Sequence, residues 1–125
     1  MTIETDIKAR LDAYSGLSAL VGSRNYAGLF PQSVTTPATA YIRVTGSVIT
    51  TLDKKYAENP RYSIDVIASK EDGGYTKLRQ IVEQVKLAMT TSTTFTAVLL
   101  SDQDLGYDDT FQVFRAVIDF SIWQQ

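Results

Sequence analysis

The segment from Phe111 to Trp123 alternates residue by residue, with Phe114, Ala116, Ile118, Phe120 and Ile122 on one side. A side-chain period of two marks a β-strand, and a face this apolar demands a layer packed over it. The other side carries Phe111, Val113, Val117 and Trp123, interrupted by Arg115, Asp119 and Ser121. The strand is therefore predicted to be long, central and apolar on both faces. A second alternating run sets Tyr62, Ile64, Val66 and Ala68 against Arg61, Ser63, Asp65 and Ser69. A third, Tyr41 to Thr51, is rich in β-branched residues and separates Ala40, Ile42 and Val44 from Tyr41, Arg43 and Thr45. A further strand is predicted near Phe95 to Leu100, ahead of an acidic turn over residues 101–109.

Elsewhere the period lengthens. Ile3, Ile7, Leu11, Tyr14, Leu17 and Leu20 fall at spacings of four and three and predict one helix from Ile3 to Val21, left at Gly22. Tyr75, Leu78, Ile81, Val82, Val85, Ala88 and Met89 predict a second, which dissolves into Thr90, Thr91, Ser92, Thr93 and Thr94, residues that favour extended or turn backbone. Residues 22–39 have no period; Gly22, Gly28, Pro31 and Pro37 break them into an ordered loop with Tyr26, Leu29 and Phe30 available to pack. The polar stretch from Thr51 to Pro60 exceeds a hairpin turn, so either its flanking strands run past the sheet or this loop reaches outward.

The order helix, strand, strand, helix, strand, strand describes an α+β two-layer sandwich. It consists of a mainly antiparallel four-stranded sheet with both helices on its even-numbered face, one domain over residues 1–125. The uncovered face should be polar, yet Phe111, Val113, Val117, Trp123, Tyr41 and Ile67 fall on it. Two explanations are compatible: the aperiodic 22–39 segment folds across part of the face, and copies of the chain associate through the rest.

Composition narrows the chemistry. The 125 residues include no Cys and no His, which removes disulfides, thiolate nucleophiles, cysteine zinc sites, the usual general base and the commonest metal ligand. Twelve basic against 14 acidic residues give a net charge of -2. Only Lys54 and Lys55 adjoin, so no cluster of cations is available for tight phosphate binding. The opening residues, with Glu4, Asp6 and Lys8, do not read as a secretory signal, and no apolar run approaches a membrane span. Asp102, Asp104, Asp108 and Asp109 lack the glycine and closing glutamate of an EF-hand loop and read as a solvated turn. Gly73 and Gly74 precede a helix without the lysine of a phosphate loop and read as backbone punctuation. Neither Ser69 with Lys70 nor Asp65 with Asp119 makes a catalytic constellation on sequence grounds. The tyrosines lack the basic groove that single-stranded nucleic acid needs and suit core or interface packing. No enzyme, cofactor or metal is expected.

One resemblance spans the chain. The run through Leu20, Val21, Gly22, Arg24, Tyr26, Pro31, Gln32, Pro37 and Tyr41 resembles the opening of tailed-bacteriophage tail completion proteins: a helix, a Gly, Arg-x-Tyr, Pro-Gln, a second Pro, then a strand. The helix bearing Lys77, Leu78, Ile81, Val82, Val85 and Lys86 and the ending Phe120, Ser121, Ile122, Trp123 continue it. The resemblance implies a structural virion protein of the tail and neck, assembled in the host cytoplasm. Such a protein caps the tail tube or joins it to the head connector as a homo-oligomeric ring, often a hexamer, of the tail terminator kind. Its partners would be other copies, the tail tube protein and connector or adaptor proteins, with DNA passing through unbound. On that basis Tyr41, Val113, Val117 and Trp123 are expected between subunits, and Leu52, Lys54, Lys55, Tyr56 and Glu58 on a loop that reaches a neighbour. Asp102, Asp104, Asp108 and Asp109 are expected at an acidic lumen that repels phosphates. The alternatives are a head-closure or connector-side adaptor and, more remotely, a small-ligand-binding α+β domain.

Overall fold

The computed structural model describes residues 3–50 and 56–124. The apolar period of the first twenty residues runs through two helices instead of one: α1 spans Ile3–Ala13 and α2 spans Ser15–Val21. Tyr14 between them is extended, at φ -75° and ψ 110°. Ser15 and Gly16 are weak helix formers, so little is lost by breaking there. Gly16 also lets α2 lie close to α3, Gly74–Thr90, because the Gln84 side chain fills the space a Cβ would take. Arg10 of α1 fixes the crossing: its Nε donates to the Ala88 carbonyl at 2.8 Å and its Nη2 to Thr91 Oγ1 at 2.8 Å, satisfying the C-terminal end of α3. The glycine pair at the start of α3, Gly73 and Gly74, acts as punctuation, both residues having positive φ. Ahead of it a single 3-10 turn, Lys70–Asp72, is closed by a capping box between Ser69 and Asp72.

Five strands form one mixed sheet among the described residues: β1 Asn25–Ala27, β2 Ala38–Thr50, β3 Tyr56–Ser69, β4 Phe95–Asp108 and β5 Val113–Gln124, in the order β1-β2-β3-β5-β4. This corrects the expected four-stranded antiparallel sheet with two helices. β1 pairs with β2 in parallel, Asn25 opposite Thr39 and Ala27 opposite Tyr41; every other pair is antiparallel. Of its three residues only Tyr26 favours a strand, too little to set one by propensity alone. What holds β1 is side-chain chemistry: buried Asn25 donates to Asp12 Oδ1 at 2.9 Å and accepts from Thr39 Oγ1 at 2.6 Å, while Lys8 Nζ donates to its carbonyl at 2.7 Å. The predicted acidic turn is also corrected. β4 continues to Asp108 through register shifts between Leu99 and Ser101 and between Asp104 and Gly106, and the turn itself occupies residues 109–112.

On β3 and β5 the even-numbered side chains face the helices as expected. Tyr62, Ile64, Val66, Ala116, Ile118, Phe120 and Ile122 join Ile7, Leu11, Leu17 and the apolar stripe of α3 in the main core. Each of the larger ones contributes about 1.5–3 kcal/mol by leaving water. On β2 the phase is opposite. Tyr41 stands across from Ile64, an odd residue against an even one, so Tyr41 enters the main core, 5% exposed, while Ala38, Ile42 and Val44 turn outward. The expected side was reversed because the alternation of Ala40, Ile42 and Val44 does not report the register with β3, and that register sets which side of β2 meets the core.

β2 and β3 also outrun the sheet. β5 meets β3 from Arg61 to Ser69, whereas the β2–β3 ladder continues to Thr50 opposite Tyr56. Residues 45–50 and 56–60 thus form a two-stranded arm, resolving the open question about that segment in favour of extended strands. Pro60, which has no N–H to donate, stands where the third strand drops out.

Candidate functional site

Away from the helices the sheet presents a face of three regions. At the end remote from the arm, residues 28–37 cross it, and Tyr26, Phe30 and Val34 pack on a second small core of Ala38, Ile67 and Val113. This is the partial cover expected of the aperiodic segment. Beside that core lies a cleft of about 520 Å³, walled by Leu29, Phe30, Ile67, Phe111 and Val113 with Arg115 at its polar side. Leu29 is 81% exposed and Phe111 72%, so the rim itself is apolar. Arg115 Nε is buried without a hydrogen-bond partner, and its guanidinium lies 3.8 Å from both Asp65 and Asp108. Burial pushes the Asp65 carboxyl up despite the nearby arginine.

In the middle of the face Asp119 of β5 binds three strands together, accepting from Ser63 and Arg61 of β3 and from Ser101 of β4. Burial alone would raise its pKa, but these hydrogen bonds and the Arg61 charge hold it below the usual carboxylate range. Around this polar knot Ile42, Val44, Val98 and Trp123 are exposed.

The third region is the margin along β4. Asp102 and Asp104 stand opposite Ile118 and Ala116 and so turn toward the helix layer. There Arg79 of α3 binds both, Nη2 to Asp102 Oδ2 at 2.8 Å and Nη1 to Asp104 Oδ1 at 2.9 Å. Lys86 pairs with Asp102 and Glu83, and the Tyr75 hydroxyl donates to Asp104. The Arg79 hydrogen bonds hold the Asp102 carboxyl down to about 2, with Lys86 assisting, and Asp102 in turn raises Lys86. Asp108 instead caps the turn, accepting from the Thr110 and Phe111 amides at 2.9 and 3.3 Å.

The residues singled out in the sequence are therefore dispersed. Tyr41 lies in the main core; Val113, 5% exposed, lies beneath the 28–37 segment; Val117 is half-buried on the outer face; Trp123 is 36% exposed toward the arm end. Leu52, Lys54 and Lys55 lie outside the described residues, while Tyr56 and Glu58 stand on the arm opposite Thr50 and Val48. Asp102 and Asp104 come together, but with cations, and Asp108 and Asp109 sit apart from them at the hairpin. Sequence reading missed the cleft and the outward set of Ile42 and Val44. Pairing parity carries the second signal; Arg115, the one cation inside the alternation of β5, hints at the first.

Among the described residues no three acidic side chains converge as a metal site would require, and no helix is long and apolar enough to cross a membrane. What the geometry offers is contact surface: an arm, an apolar cleft, and a sheet face with open margins. The architecture is one found in virions. A chain of the structure described as "Virion of native gene transfer agent (GTA) particle" superposes with a TM-score of 0.75, covering 98% of this chain and 93% of that one at 15% identity, and so shares its fold. The family described as tail completion protein gp17 matches residues 5–125, and the chain belongs to it, a structural protein of phage tails. A search of curated proteins finds no match.

Proposed function

We propose that copies of this chain close into a ring, hexameric in keeping with its tail terminator likeness, that caps the tail tube and joins it to the head connector. Tail tube protein lies on one side, connector or adaptor on the other, and DNA runs through the lumen. The supporting observation is that each subunit carries two dissimilar contact regions at opposite ends of β3, the arm beyond Arg61 and the apolar cleft beside Ile67. A closed ring requires such a pair, because head-to-tail contacts use two different patches. Val117 and Trp123 on the outer face and Tyr56 and Glu58 on the arm are the subunit contacts in this assembly, together with Leu52, Lys54 and Lys55 of the same sequence segment, which lie outside the described residues. The lumen charge falls to Asp108 and Asp109, since cations already neutralise Asp102 and Asp104. Particles assembled without the chain should show filled heads and separate tails in electron micrographs. Fully joined particles would end the proposal, and heads that lose their DNA would move the protein to the head-closure position. The cleft favours one other reading, a small-ligand pocket; a saturable thermal shift in a strictly monomeric chain would support it.

A further inference from the structure

Edge strands expose unpaired backbone groups, and natural sheets protect them with charge, proline, bulges or a covering segment. Two edges here carry little of that protection. β4 is the outermost strand, and its regular half, Phe95–Leu99, runs without a bulge or proline, while no charged residue occurs between Lys86 and Asp102. Val98, Leu99 and Leu100 are exposed along it, Val98 to 50%. At the opposite margin β1 covers β2 only at residues 39–41. From Ile42 to Thr50 the edge of β2 has no other described neighbour than β3; Ile42 and Val44 are exposed, Arg43 is the one charged residue in that stretch, and one register shift, between Arg43 and Thr45, interrupts the ladder.

We infer that these two edges pair with each other between copies: the β4 edge of one subunit hydrogen-bonds the β2 edge of the next, so that the sheets join. The occupant is a second copy because the two edges match. They lie at opposite margins of one sheet, both stretches carry little charge, and each exposes an alternating row of backbone donors and acceptors that can pair with the other. Direction follows from the topology. β2 and β4 run antiparallel to one another within a subunit, given three successive antiparallel pairings. A neighbour related by a modest rotation about an axis near the strand direction therefore presents its β2 antiparallel to this β4. The contact is head-to-tail, so it propagates until it closes. The inference rests on the ring assembly proposed above and adds a sheet-edge contact to the arm and cleft surfaces named there.

The absence of cysteine allows a direct test. Within one chain β2 and β4 are three strand spacings apart, about 14 Å, beyond the roughly 7 Å limit for a disulfide. A double variant, Val98→Cys with Val44→Cys or with Ile42→Cys, should under mild oxidation give a ladder of covalent multimers, while each single variant gives none. Val98→Lys should raise the dissociation constant for self-association about tenfold or more and leave the melting temperature of the subunit unchanged. A covalent dimer from Val98→Cys alone would overturn the inference by showing β4 against β4. So would double variants that oligomerise without cross-linking, an outcome that leaves ring assembly intact. A chain that stays monomeric in every form would overturn both.

Discussion

Asp102 shows how a residue can contradict its own propensity. Aspartate is depleted in strands, and four of them within eight positions read as a turn. The cations that make this stretch a strand lie on α3, Arg79 and Lys86, paired with a carboxylate far along the chain; no local pattern reports that. Replacing Asp102 by Asn should cost about 1–2 kcal/mol in urea unfolding at neutral pH. The pH dependence has a definite sign. The folded carboxyl is held down to about 2, below the roughly 3.9 of an unfolded aspartate, so its stabilisation is complete above about pH 4 and lost as pH falls toward 2. The native chain should therefore weaken over that window more steeply than Asp102→Asn does. Parallel pH profiles for the two would show that the network contributes nothing to folding.

Among the elements, those whose residues pack by one clear period were legible: α3, the even face of β3 and the even face of β5. Errors arose where a long-range partner decided. The break at Tyr14 depends on how close Gly16 lets α2 approach α3, and β1 depends on the Asn25 hydrogen bonds, neither of which has a periodic signature. The phase of β2 depends on its register with β3, which the local alternation of Ala40, Ile42 and Val44 does not report. The outer face can be divided experimentally into its structural and its associating parts. Ile67→Ala, beneath the 28–37 segment and in the wall of the cleft, should cost about 2–5 kcal/mol of stability and weaken self-association as well. Trp123→Ala should separate the two effects, costing under about 1.5 kcal/mol while weakening assembly. An early-melting Trp123→Ala that still assembles would return Trp123 to the core.

At the scale of the molecule, the resemblance carried by Gly22, Arg24, Tyr26, Pro31, Gln32 and Pro37 was legible without any chemistry of a site. These positions punctuate the backbone and pin the 28–37 segment across the sheet; Arg24 Nε, for example, donates to the Pro37 carbonyl at 2.9 Å. The cleft was not legible, because its walls come from residues 29–36, β3 and the 109–113 hairpin, brought together only by the fold. Removing residues 53–58 should leave a subunit with unchanged circular dichroism and melting temperature but impaired tail joining; fully infectious particles would take the arm out of the function. The most direct single measurement is sedimentation of the purified chain across a concentration series, at micromolar and above, with the oligomer imaged in negative stain. One discrete species of fixed stoichiometry, seen end-on as a closed ring, is expected. A strictly monomeric boundary at every concentration, unchanged when tail tubes are added, would contradict it.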